Sequence, residues 1–318
     1  MITRRTLFGM AAAFPALALQ NAGAGAAPRV LKRGMIVRSV RPEDLEMPLE
    51  FFNDYLTPAE HFFVRTHTYA PTVSLQEWRL SVDGQVQKPV ALTMADLKAM
   101  PRVDLVGVLE CAGNGRGLYQ PTMPGLQWQY GAVGNARWTG VRLADVLKRA
   151  GVKDAATEVL FEGADSPPAT MPDFQRTITL KKALDPNTLL AWDMNGRPIP
   201  MQHGYPLRLI VPGWAGDSWV KWVTKITLLD REFDGFFMKT AYRHPGKAVP
   251  PGAAVPPEQM FPVTSLRVKS VIASPANGAA LEAGKPVRIS GAAWSGDAGP
   301  VESVDVSTDG GKTWTAAQ

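Results

Sequence analysis

The chain has 318 residues, which at roughly 150 per domain predicts two domains. Its 45% apolar and 20% charged residues exclude a disordered chain. The 34 basic and 29 acidic residues leave a formal charge of +5 with no Lys/Arg-rich run, which excludes the basic stripe that nucleic acid requires and suits a small anionic substrate. The single cysteine excludes an intrachain disulfide, a zinc ribbon, an iron–sulfur cluster and haem held through Cys-x-x-Cys-His.

Residues 1–27 open with Arg4-Arg5, continue as an apolar stretch from Leu7 to Leu19, and close on Ala-x-Ala sites at 22–24 and 24–26. Thirteen apolar residues at about 1.5 Å each cannot cross a hydrocarbon core of ~30 Å. The segment therefore reads as a twin-arginine export signal, which places the protein in the periplasm without a membrane anchor. From Arg29 to Thr57 an extended lead follows, broken by Pro42 and Pro48. Trp78 to Val82 alternates and stops at Asp83-Gly84, a strand and turn. Thr93 then opens a short helix, with Asp96 in capping-box position and Pro101 past its end.

Val103 to Leu109 is apolar and suits a buried strand that delivers Glu110 and Cys111 at its end. Leu143, Val146, Leu147 and Ala150 keep helical spacing up to Gly151. Further strands are expected at Glu158–Phe161, Leu207–Val211 and Trp222–Leu229. With 29 glycines and 27 prolines this is a loop-rich, mixed α+β domain with no run of βαβ units. It is expected to span 28–248, and a Pro/Gly/Ala-rich stretch from Pro245 to Pro262 marks its boundary. Beyond it, 262–318 reads as all strand: Leu266–Ile272, Val287–Trp294 and Val301–Ser307, with Asp309-Gly310-Gly311 as a hairpin turn. An immunoglobulin-like sandwich uses about seven strands over ~100 residues. About four precede Gln318, so the second domain is expected to be incomplete.

The stretch richest in chemistry is Glu110-Cys111-Ala112-Gly113-Asn114-Gly115-Arg116-Gly117. A solitary cysteine sits where a strand meets a glycine-rich loop whose backbone N–H groups are available to a ligand. Three readings stand from spacing alone: a small buried hydrophobe, a nucleophilic thiolate with His67 or His203 as its base, or a ligand to a soft metal. A fourth, non-catalytic reading is an exported interaction module built on the β tail.

Cys111-Ala112-Gly113-Asn114 followed by Arg116 resembles the molybdenum-cysteine loop of the sulfite oxidase family. His61 to His67, with Arg65-Thr66-His67, resembles that family's upstream Arg-x-His segment. Phe161 to Ser166 resembles its central aspartate loop, and Phe237 to Tyr242 its tyrosine segment. Asp193 to Gly196, His203 to Arg208, Val211 to Gly213 and Val220-Lys221-Trp222 resemble its pterin-binding stretch. The tail from Val263 is similar to the start of its dimerisation domain. Gln202 departs from the Asp-His-Gly of some members and carries no role.

The resemblance implies a molybdenum–molybdopterin cofactor with Cys111 as the single protein ligand to the metal, a donor that high-valent molybdenum favours. It implies that Arg65, Arg116 and Tyr242 line the substrate pocket, where a guanidinium fork pairs with two oxygens of an oxyanion. His67, Asp165, His203, Arg208 and Lys221 would hold the pterin and its phosphate, and Trp214 or Trp219 would roof the pocket. The implied activity is oxidation of sulfite to sulfate, with electrons leaving through a separate carrier such as a c-type cytochrome. The alternatives on the same fold are sulfane-sulfur oxidation and nitrate or sulfoxide reduction. A complete C-terminal domain would mediate a homodimer, and it supplies a further pocket arginine in the family.

Overall fold

The computed structural model describes residues 27–168 and 170–317, so the expected export signal at 1–27 lies outside the described residues, Ala27 apart. The lead contains an antiparallel pair, β1 (Ile36–Ser39) and β2 (Asp44–Glu46). Then come β3 (Leu80–Gly84), β4 (Val90–Leu92), α1 (Met94–Lys98) and β5 (Arg102–Glu110). Thr93 caps α1 with both bonds of the capping box: its hydroxyl accepts from the Asp96 N–H, and the Asp96 carboxylate accepts from the Thr93 N–H at 2.8 Å. Next are β6 (Val133–Arg142) and α2 (Leu143–Ala150). The apolar stripe of α2 is fully buried, and it stops at Gly151, whose φ of 71° is open to glycine at little cost.

Further on lie β7 (Glu158–Gly163), β8 (Gln175–Thr179), α3 (Leu180–Ala183), β9 (Leu189–Met194), β10 (Arg197–Pro198), β11 (Arg208–Ile210), β12 (Val223–Leu229) and α4 (Phe236–Lys239). Two five-stranded sheets result. One runs β10-β9-β6-β5 with β11 also on β9; the other runs β4-β3-β12-β7-β8. Among the described strands only β3 and β12 pair in parallel. A single large core joins the sheets, with Trp138, Leu80, Phe161 and Ile226 inaccessible to solvent.

In the two five-stranded sheets the structure adds β4, β6, β8, β9 and β10 to the expected strands. β6 carries Gly134, Asn135 and Gly140, poor strand formers that hide it from a pattern reading. It is nonetheless the inner strand between β5 and β9. Gly140 is required there, because a Cβ would lie 2.1 Å from the Leu190 carbonyl oxygen.

The Pro/Gly/Ala-rich stretch is bracketed by a further pair, β13 (Arg243–Pro245) with β14 (Met260–Pro262). Beyond it β15 (Lys269–Ser274) pairs with β16 (Ser290–Trp294), and β17 (Asp305–Val306) with β18 (Thr315–Ala316). These four strands make two separate two-stranded sheets, so the expected immunoglobulin-like arrangement is not formed among the described residues. The segment is fastened to the first domain. Ala215 N–H donates to the Thr264 carbonyl at 2.8 Å, and Lys182 pairs with Asp297 at 2.9 Å. No described helix is long and apolar enough to cross a membrane.

Candidate functional site

Strand β5 ends at Glu110 and hands the chain to Cys111, whose N–H donates to the Ala132 carbonyl at 2.8 Å. A turn follows, closed by Asn114 N–H on the Cys111 carbonyl at 2.9 Å, with Gly115 at φ 93° where a side chain would be strained. The β7 and β12 ends meet beside it: Ala164 N–H donates to the Trp222 carbonyl at 2.9 Å, which places Asp165 near Lys221. The opening between these ends is a cavity of about 670 Å³ counted with its open mouth.

Eight of the nine residues singled out in the sequence line this cavity: Arg65, His67, Cys111 and Asp165 with His203, Arg208, Lys221 and Tyr242. Arg116 does not. Its guanidinium folds back against the loop, 2.8 Å from where a Cβ on Gly113 or Gly125 would sit, and donates to the Leu126 carbonyl at 3.3 Å. Its charge nonetheless reaches Cys111, where it opposes the upward shift of the thiol. Trp219 lines the cavity and Trp214 does not. Trp214 instead donates through Nε1 to Asp297 at 2.6 Å.

Sequence reasoning missed four supports. Asp44, buried on β2, accepts from Arg65 Nη1 at 3.2 Å and from the Thr66 N–H at 2.9 Å, which fixes the arginine fork. Asp217 lines the cavity and forms an ion pair with Arg176 at 2.6 Å, both side chains 1% exposed. The contact is an ion pair rather than an aligned hydrogen bond. Phe174 stacks on His67 with centroids 4.3 Å apart. Lys32, from the lead, donates to the Phe62 carbonyl at 2.7 Å and lies 2.8 Å from His203 Nε2. An aspartate between Trp214 and Trp219, and a lone arginine in buried β8, were the available signals for the Asp217–Arg176 pair.

Burial dominates the electrostatics. It pushes the Cys111 thiol up to about 11, against the Gly113 N–H and the charges of Arg65 and Arg116. It pushes His67 down to about 2, helped by Arg65, Lys221 and Arg176, so the imidazole is neutral. Its Nε2 lies 2.7 Å from the Tyr242 hydroxyl, whose own ionisation burial suppresses. His203 is likewise held neutral by burial and by Lys32. His67 Nε2 faces Tyr242 and His203 Nε2 faces Lys32, so neither imidazole is placed as the base that a metal-free cysteine enzyme needs at Cys111.

The donor set instead fits the implied cofactor. Arg208 is buried, its Nε has no hydrogen-bond partner, and burial alone pushes it down to about 9. Lys221 donates only to neutral oxygens, those of Arg65, Thr66 and Gln202 at 3.0 to 3.2 Å. A buried guanidinium and a partly buried ammonium without a direct acidic partner call for an anion such as a phosphate. Cys111 adds a soft donor at the same cavity.

A family model described as "Oxidoreductase molybdopterin binding domain" matches residues 67–237, and one described as "Mo-co oxidoreductase dimerisation domain" matches 261–318. Mitochondrial sulfite oxidase of Homo sapiens is 38% identical over 290 residues, 89% of this chain and 53% of that protein. The NADH nitrate reductase of Volvox carteri is 32% identical over 90% of this chain and 35% of its own length. The chain thus spans about half the length of the sulfite oxidase it matches. The crystal structure of the sulfane dehydrogenase SoxCD from Paracoccus pantotrophus superposes with a TM-score of 0.76 at 32% identity, covering 98% of this chain and 77% of that one. The matched domains, the identities and the cysteine-and-cation cavity agree: the chain belongs to the sulfite oxidase family of molybdenum–molybdopterin oxidoreductases.

Proposed function

We propose that this protein oxidises sulfite to sulfate in the periplasm: sulfite and water yield sulfate, two protons and two electrons. The electrons pass to a separate carrier such as a c-type cytochrome. The observation that carries the reading is the grouping of Arg65, Cys111 and the His67–Tyr242 pair in one cavity. The bound cofactor supplies an oxygen donor and two-electron acceptor that soft sulfur ligation holds at Cys111. Arg208 and Lys221 hold its phosphate, and His203 and Asp165 bind the pterin.

Arg65 attracts the anion, and Asp44 keeps its fork from swinging out of the cavity. Tyr242 presents a neutral hydroxyl that donates to an anion oxygen, and His67, itself neutral, orients it from 2.7 Å. Arg116 acts through its field on Cys111. The C-terminal segment, matched as a dimerisation domain, supports a homodimer.

Sulfane-sulfur oxidation is the second reading, favoured by the superposition on the sulfane dehydrogenase along 98% of the chain. The test is a substrate panel on metal-loaded protein: sulfite and thiosulfate with oxidised cytochrome c as acceptor, and nitrate with a reduced viologen as electron donor. Sulfite-dependent reduction with about one molybdenum per chain is expected. Turnover of thiosulfate or nitrate without sulfite would overturn the proposal.

A further inference from the structure

Both neighbours of Cys111 are anchored in the C-terminal segment. Glu110 is buried, and its carboxylate accepts from three donors: Lys269 Nζ at 2.7 Å, Trp294 Nε1 at 2.8 Å and Asn114 Nδ2 at 3.0 Å. Lys269 and Trp294 face each other in register on β15 and β16. Lys269 also reaches the Asn114 carbonyl at 3.3 Å. On the other side Ala112 packs in a small apolar cluster with Leu266 and Trp294. Asn114 closes the loop by accepting from the Ala132 N–H at 3.1 Å.

We infer that Lys269 and Trp294 are positioning residues for the metal ligand: they act through Glu110 to fix the Cys111 loop, so the C-terminal segment shapes the cofactor centre of its own chain in addition to any role in association. The physical reason is the buried carboxylate. Once its strand delivers it away from water, each of its donors must be present, and two of them come from beyond residue 262. Withdrawing Trp294 leaves Glu110 Oε2 without its donor, and withdrawing Lys269 removes the charge beside Oε1 and leaves Asn114 alone there; either change lets Glu110 shift, and Cys111 is the next residue in the chain. Neither contact touches the cavity, so the inference holds whichever oxyanion or sulfane is oxidised.

Because the chain has one cysteine, alkylation of the full-length apoprotein reads the Cys111 loop without background. Iodoacetamide should react about tenfold faster with Trp294→Phe and with Lys269→Met than with the parent, since a lost charge-assisted bond frees the loop. In the loaded enzyme the same variants should shift the Mo(V) electron-paramagnetic-resonance signal, and Lys269→Arg should restore it. Trp314→Phe, an exposed tryptophan of the same segment, is the control for general loosening. Unchanged alkylation and an unchanged Mo(V) signal, even with a lowered melting temperature, would refute the inference. So would equal acceleration in Trp314→Phe. Should Trp294→Phe fail to fold, the partly exposed Lys269→Met decides alone. Alkylation needs neither metal nor substrate, so its outcome is separate from that of the sulfite assay.

Discussion

Replacing Arg176 with methionine isolates the buried ion pair under the cavity. Arg176 and Asp217 are 2.6 Å apart and both 1% exposed, so well above pH 6, where Asp217 is ionised, removing the cation forces the carboxylate to stay buried unpaired or to take up a proton, at a cost of about 3–5 kcal/mol. Arg176 also donates to the carbonyls of Phe237 and Val263, and each lost bond adds about 1 kcal/mol. The expected loss in urea denaturation is therefore about 5 kcal/mol, a large share of a total of about 5–15 kcal/mol. Adding Asp217→Asn removes the stranded charge, so the double variant should recover at least about 2 kcal/mol of it. A loss under about 1 kcal/mol, or a double variant less stable than the single, would refute this account of the pair.

The remaining predictions concern other elements. Burial pushes Asp217 up to about 6 from 3.8. The native state then holds the proton more tightly than the unfolded chain between pH 4 and 6, so this group's contribution to stability falls as pH rises through that window, by about 3 kcal/mol. Asp217→Asn should flatten that limb in denaturation curves taken from pH 4 to 6.5. Tyr242→Phe should lower kcat/KM about 10- to 100-fold, since it removes one hydrogen bond to a charged ligand of about 1.5–3 kcal/mol; an unchanged kcat/KM would place the hydroxyl outside the reaction. Gly140→Ala should destabilise by at least about 2 kcal/mol in the same denaturation assay, because its Cβ collides with the Leu190 carbonyl.

Much of the site was readable in the sequence because its residues stand in short runs. Cys111 follows an apolar strand and opens a glycine-rich loop, and Arg65 and His67 flank one threonine. Such runs fix which side chains sit at a strand end, and eight of nine candidates reached one cavity. Arg116 belongs to the same loop, yet its direction depends on Gly113 and Gly125 making room for its guanidinium. Spacing along the chain carries no information on that choice.

Local patterning by itself determined α1 with its cap, α2 with its glycine stop, and β5 up to the cysteine. Capping, helical spacing and apolar runs act over a few residues, where sequence and structure coincide. Tertiary structure alone decided the rest. β6 is a strand because β5 and β9 flank it, which overrides its glycines and its weak propensity. Asp44, Arg176 and Asp217 matter only because chain segments far apart in sequence bring them against Arg65, Tyr242 and Cys111. The same holds for Glu110, whose charge is legible in the sequence. Its donors, Lys269 and Trp294, lie 159 and 184 residues away, and burial of a carboxylate is what makes that distant pairing necessary.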